Sequence, residues 1–236
     1  MGSARLPGKI LMPFCGNPSL IHFIERAKQS KLLDDLVVAT SNLPIDDVVA
    51  AWYKPCYRGS ELDVLDRFYQ ASIKYPADIY VRLTADCPLI DPYVIDDTIR
   101  YFLSNDFDYA SNMVPQNQGP TFPRGLDCEV FTSQLLEEAW RNTTELYDRE
   151  YVTPYMYQEK SNHSCYRNPN YIIDVERYRW TLDTPEDYEM ISAIYEYFYK
   201  GKHDFYLLEI LEYIQKNQRI SDINAHVRQK GTFSQY

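Results

Sequence analysis

Three short stretches of this sequence gather residue types that can handle a polyanion and a hard cation. The first, MGSARLPGK at residues 1–9, sets Gly2, Ser3 and Gly8 around Arg5 and Lys9. Glycines let a backbone approach a ligand closely, while a guanidinium and an ammonium neutralise phosphate charge. The stretch matches neither a Walker A motif nor a dinucleotide GxGxxG, and on its own it also reads as a frayed basic terminus. The second, TADCPLIDP, carries Asp86 and Asp91 behind an apolar run. Their carboxylates either hold a divalent cation or cap a loop and a helix start. The third, RWTLDTPED, presents Asp183 just before Thr184 and Pro185, with the same two alternatives. Strand ends of one open sheet can bring such distant aspartates to a single site.

Two further groups invite a ligand. PRGLDCEVF places Arg124, Asp127 and Glu129 around a glycine, and Asp127 and Glu129 share a side if 126–131 is a strand. The group suits a substrate's hydroxyls and carboxylate, or is the polar edge of a strand. YRGSELDVLDRF offers Arg58 and Ser60, with Ser60 a helix cap or either residue turned to a nucleotide. His22 has no histidine at metal-ligand spacing, which argues against a zinc site or a serine triad. Trp140 and Trp180 read as packing residues.

Elements must position these groups. At 236 residues with 45% hydrophobic content, the chain can build one large domain, 1–236. The 112–175 stretch, with a long polar loop, reads as a lid or a dimerisation subregion. Helix patterns at NPSLIHFIERAKQSKLL, ELDVLDRFYQASIKY, YVIDDTIRYFLS, SQLLEEAWRN, about 148–159, DTPEDYEMISAIYEYFY and FYLLEILEYIQKN alternate with apolar strands at DDLVVATS, ADIYVRL, FDYASN, LDCEVF, HSCYR and NYIIDV. That alternation predicts an α/β fold with a doubly wound, mostly parallel sheet. The 34 acidic residues against 24 basic ones give a net charge of -10, which argues against nucleic acid or anionic lipid as partner. No apolar run reaches the ~18 residues of a membrane span, so a soluble cytoplasmic protein is expected. Five scattered cysteines without a CxxC read as free thiols.

Taken together, MGSARLPGK, LDDLVVATS, YRGSELDVLDRFYQA, VRLTADCPLIDP, DYASN, TFPRGLDCEVF, REYVTPY and RWTLDTPEDYEMI resemble, in order, the cytidylyltransferases of the CMP-sugar synthetase superfamily, in particular the spore coat polysaccharide biosynthesis protein F branch. The resemblance implies a GT-A-like fold that binds CTP with Mg2+, transfers CMP to an acidic sugar and releases pyrophosphate. It implies that Gly2, Ser3, Arg5 and Lys9 form the triphosphate loop, with Arg58 and Ser60 beside the nucleotide. Asp86 and Asp183 would hold the metal, and Arg124, Asp127 and Glu129 would face the sugar. A homodimer is expected. The family's loop follows a central strand, whereas here Met1 falls inside the motif, so the first central strand is expected to be missing and Met1 to be internal to a longer ancestral chain. A truncated, weakly active sugar-nucleotide binder is the alternative. A glycosyltransferase would show Asp-x-Asp at a strand end, and none is present there.

Overall fold

The computed structural model describes residues 5–113, 120–157, 161–169 and 175–228. Gly2 and Ser3 lie outside the described residues, as do most of the strand expected at NYIIDV and part of the polar loop ahead of Arg124. The chain first makes a 3-10 turn at Lys9–Leu11, then a small hairpin of β1 (Pro13–Phe14) and β2 (Asn17–Pro18). The helix α1 (Ser19–Ala27) follows, with Leu20, Phe23, Ile24 and Ala27 buried on one face, as the 3.6-residue spacing predicts.

Two strands, β3 (Val38–Ser41) and β4 (Cys56–Gly59), pair in parallel across the crossover helix α2 (Asp47–Trp52). After α3 (Val64–Lys74) the chain enters a second, four-stranded sheet. Its strands are β5 (Ile79–Leu83), β6 (Tyr109–Ser111), β7 (Cys128–Thr132) and β8 (His163–Cys165), in the order β5-β7-β6-β8. β6 and β8 are parallel, and β7 runs against both of its neighbours, so this sheet is mixed. Helices α4 (Pro92–Leu103), α5 (Ser133–Asn142), α6 (Leu146–Tyr151), α7 (Pro185–Phe198), α8 (Leu207–Lys216) and α9 (Gln218–Asp222) pack around it.

The alternation along β7 explains the layering. Val130 packs into one apolar cluster with Leu20, Ile24, Ile90 and Ile95, whereas its neighbour Phe131 packs into another with Leu65, Leu136 and Met156. Successive side chains point to opposite faces, so one strand supplies two cores. A third cluster joins Trp180 and Leu182 to Ile191, Tyr195 and Ile210 of the carboxyl-terminal helices and to Phe205 between them. The α/β fold with helices packed around the sheet is as expected. β3 and β4 stand as a separate pair, and β5 has no second partner among the described residues. All five β5 residues are half-buried, while four of five in β7 are buried. The helix expected at 148–159 breaks at Val152, which sits at φ 75°, into α6 and a 3-10 turn. No described helix is long and apolar enough to cross a membrane, and all five cysteines are free thiols.

Candidate active site

Asp86 lies in the loop between β5 and α4. The loop is pinned by Asp91, whose carboxylate caps α4 by accepting from the Tyr93 and Val94 N–H groups at 2.8 and 3.3 Å. Its other oxygen accepts from the Leu207 N–H at 2.6 Å, tying α8 to the same loop. Of the two aspartates, Asp91 therefore does the capping and Asp86 faces the opening loop.

Asp183 arrives on an extended segment. The Arg124 N–H donates to the Tyr178 carbonyl at 3.1 Å, Trp180 N–H to the Arg124 carbonyl at 2.7 Å, and Leu182 N–H to the Asp86 carbonyl at 2.7 Å. Such contact requires a glycine beside Arg124. Gly125 has φ 101°, and a Cβ there would stand 2.5 Å from the Trp180 carbonyl carbon. α7 then begins with Thr184 as its cap and Pro185 in its first turn, closed by a capping box with Asp187. Asp187 is fully buried and accepts from the Asp183 and Thr184 N–H groups, both at 3.0 Å, from Arg179 Nε at 2.9 Å and from Asn224 at 2.9 Å. Arg179 Nη2 donates in turn to Asp183 Oδ2 at 2.7 Å.

The opening loop closes the site. Lys9 Nζ donates to Asp86 Oδ2 at 2.6 Å and to Asp183 Oδ1 at 2.7 Å, and Arg5 pairs with Asp183 Oδ2 at 3.0 Å. Burial works against charge on Asp183, but Lys9 and Arg179 outweigh it and hold its pKa below the ordinary carboxylate value. Burial likewise opposes the Lys9 ammonium, and Asp86 and Asp183 more than restore it, so its pKa is raised. Two carboxylates that converge on one cation are a hard-oxygen donor set, which fits Mg2+ completed by phosphate and water.

Asp127 and Arg124 precede β7. Burial pushes the Asp127 carboxyl up to about 6, with Asp86 and Glu129 adding to the shift and Arg124 opposing it. Glu129 is different. It is buried, its Oε1 accepts from the Tyr109 and Thr153 hydroxyls at 2.9 and 2.6 Å, and Oε2 is bonded to Arg82. With both oxygens held inside the sheet, it is not placed to meet a sugar, contrary to the sequence expectation. Arg58 also departs from expectation. Its guanidinium is divided among the Ser41 carbonyl, the Leu43 carbonyl and Asp47, which ties β4 to the loop after β3. Ser60 Oγ accepts from the Asp63 N–H at 3.0 Å and shapes the turn before α3, while the helix cap is Asp63, which accepts from the Asp66 N–H at 2.9 Å. Trp140 stacks on Tyr69 at 4.1 Å and Trp180 is buried, so both are packing residues. His22 is buried and bonds to the Phe14 carbonyl at 2.7 Å and His203 at 2.8 Å. The sequence reading overlooked Arg179 and Asp187, although Thr184-x-x-Asp187 is a legible capping pattern.

A family model described as cytidylyltransferase matches residues 1–224. An uncharacterized protein of Methanocaldococcus jannaschii is 38% identical over 235 residues, covering 98% of this chain and 93% of that protein. The spore coat polysaccharide biosynthesis protein SpsF of Bacillus subtilis is 34% identical over 206 residues, 83% of either chain. A solved cytidylyltransferase from Leptospira borgpetersenii superposes with a TM-score of 0.84 at 35% identity, over 99% of this chain and 95% of that one. A CMP:2-keto-3-deoxy-manno-octonic acid synthetase complexed with CTP shares the fold, with a TM-score of 0.62 at 20% identity over 83% and 95% of the two chains.

Proposed function

Because this chain belongs to the cytidylyltransferase family, we propose that it transfers CMP from CTP to an acidic sugar, releasing pyrophosphate, in the synthesis of a surface polysaccharide. The observation that carries this reading is the convergence of Arg5 and Lys9 with Asp86 and Asp183. Nucleotidyl transfer needs a sugar hydroxyl held in line with the α-phosphorus and cations to absorb charge on the phosphoryl oxygens. Arg5 and Lys9 neutralise the β and γ phosphates. Asp86 and Asp183 would hold Mg2+, and the chemistry it would supply is that of a Lewis acid toward the phosphates. Arg124 and Asp127 face the sugar, the guanidinium toward its carboxylate and the carboxyl toward its hydroxyls.

The test is pyrophosphate release from the chain, with magnesium, each of the four nucleoside triphosphates and a panel of nonulosonic and octulosonic acids. Release with CTP and one acid is expected; release with no pair ends the proposal. A second reading is a sugar-nucleotide binder with little turnover. It is favoured by the half-buried β5, which lies directly ahead of the Asp86 loop and pairs on one side only among the described residues. CTP binding without pyrophosphate release would select it.

A further inference from the structure

Asp183 has no oxygen without a cation. Its Oδ1 accepts from Lys9 at 2.7 Å, and its Oδ2 is shared by Arg5 at 3.0 Å and Arg179 at 2.7 Å. A carboxylate offers about four lone-pair sites and three are taken here, so a divalent ion that joins Asp183 stands against at least one of these cations and is repelled by it. Arg179 is fixed, since Asp187 grips its Nε and Nη2 at 2.9 and 3.1 Å from a fully buried position. Arg5 can leave, but Oδ2 then still carries Arg179. Lys9 is the releasable partner, an ammonium on a flexible four-carbon stem whose second carboxylate, Asp86, is the other ligand of the proposed metal site. Its release requires a new anionic partner, because an ammonium left beside a divalent ion is repelled by it.

Charge decides what that partner is. Asp86, Asp183 and Asp187 balance Arg5, Lys9 and Arg179, so the cluster is neutral as it stands. A divalent ion added alone leaves it with an excess of positive charge. A triphosphate reverses the excess and supplies oxygens that receive Lys9 and Arg5.

We propose that Lys9 is a built-in counter-cation that keeps divalent metal off Asp86 and Asp183 until a nucleoside triphosphate draws its ammonium away, so that metal and nucleotide load together. This rests on the nucleotidyl-transfer reading. It gives Lys9 two successive partners, carboxylates before loading and phosphate after.

The experiment measures two affinities of the full chain and of Lys9→Met. One is for Mn2+ alone, followed by electron paramagnetic resonance of the free ion. The other is for CTP in EDTA. Removing the ammonium raises nucleotide-free Mn2+ affinity by about tenfold or more, and Asp86→Asn added to Lys9→Met abolishes the gain. The same Lys9→Met protein binds metal-free CTP more weakly than the parent. Opposite changes of the two affinities are the signature, since general structural damage lowers both. Lys9→Gln serves as the second variant if Lys9→Met does not fold. Unchanged or weakened Mn2+ binding in the folded variant overturns the proposal while leaving the nucleotide reading intact. A gain in Mn2+ binding with no affinity of the parent chain for any of the four triphosphates overturns the nucleotide reading instead, and with it the loading order.

Discussion

Two carboxylate clusters in this molecule use the same chemistry to different ends. Glu129 on β7 faces Arg82 on β5 as a directly opposed cross-strand pair, and Tyr109 and Thr153 complete its shell. Each partner but one sits on a strand of the same sheet, so nothing in the cluster moves without disturbing the ladder. Asp183 meets three cations rather than one, and two of them, Arg5 and Lys9, come from the opening loop and its 3-10 turn. What separates a scaffold from a site here is therefore where the counter-charge is anchored.

The contrast is tested most severely at Glu129. Glu129→Ala strands the Arg82 guanidinium inside the sheet, and urea unfolding should show a loss of about 3–5 kcal/mol. A near-neutral result would show that the cluster relaxes like a surface pair. Asp86→Ala is expected to do the reverse, lowering the rate of pyrophosphate release by about a hundredfold or more while the unfolding midpoint stays close to that of the parent. Normal turnover would remove Asp86 from the metal site.

Between these lies a pH effect. The Asp127 carboxyl is raised to about 6 by burial, so between the ordinary carboxylate value and that pH the folded chain binds more protons than the unfolded one. Stability from this group falls as pH rises through that window, and Asp127→Asn should flatten the decline in a series of unfolding curves. Asp183 has the opposite sign. Its depressed pKa contributes stability above the ordinary carboxylate value, and that contribution is lost as pH falls through the folded value. The smallest effect is at Thr184. Thr184→Ala removes the α7 cap, which accepts from the Asp187 N–H at 3.3 Å, and should cost about 1 kcal/mol. A larger drop in activity than in stability would show that the cap also holds Asp183 in place.

The motifs made the family legible before any coordinates, and the rule that strand ends of one sheet gather distant loops pointed to Asp86 and Asp183 as neighbours; that Lys9 bonds to both was not foreseen. The family model and the Bacillus subtilis relative bear out the resemblance. Two residues were misread for a common reason. Arg58 and Glu129 have side chains suited to ligands, but backbone groups and neighbours brought near only by folding claim them first. Asp187 failed in the other direction, since an acid in a helix's first turn ordinarily faces water and this one is buried under Arg179 and Asn224. β4, with an arginine and a glycine among its four residues, shows no apolar alternation, and it is a strand only because β3 lies beside it.

The bond from the Leu182 N–H to the Asp86 carbonyl joins the main chains that carry both aspartates. It works as a fixed caliper, setting the gap between the jaws through peptide groups that almost every side-chain replacement leaves intact. Proline at 182 is the substitution that deletes this donor outright. The span offered to a cation is thus inherited from the fold, and evolution at these positions can change what the jaws are made of more readily than how far apart they stand.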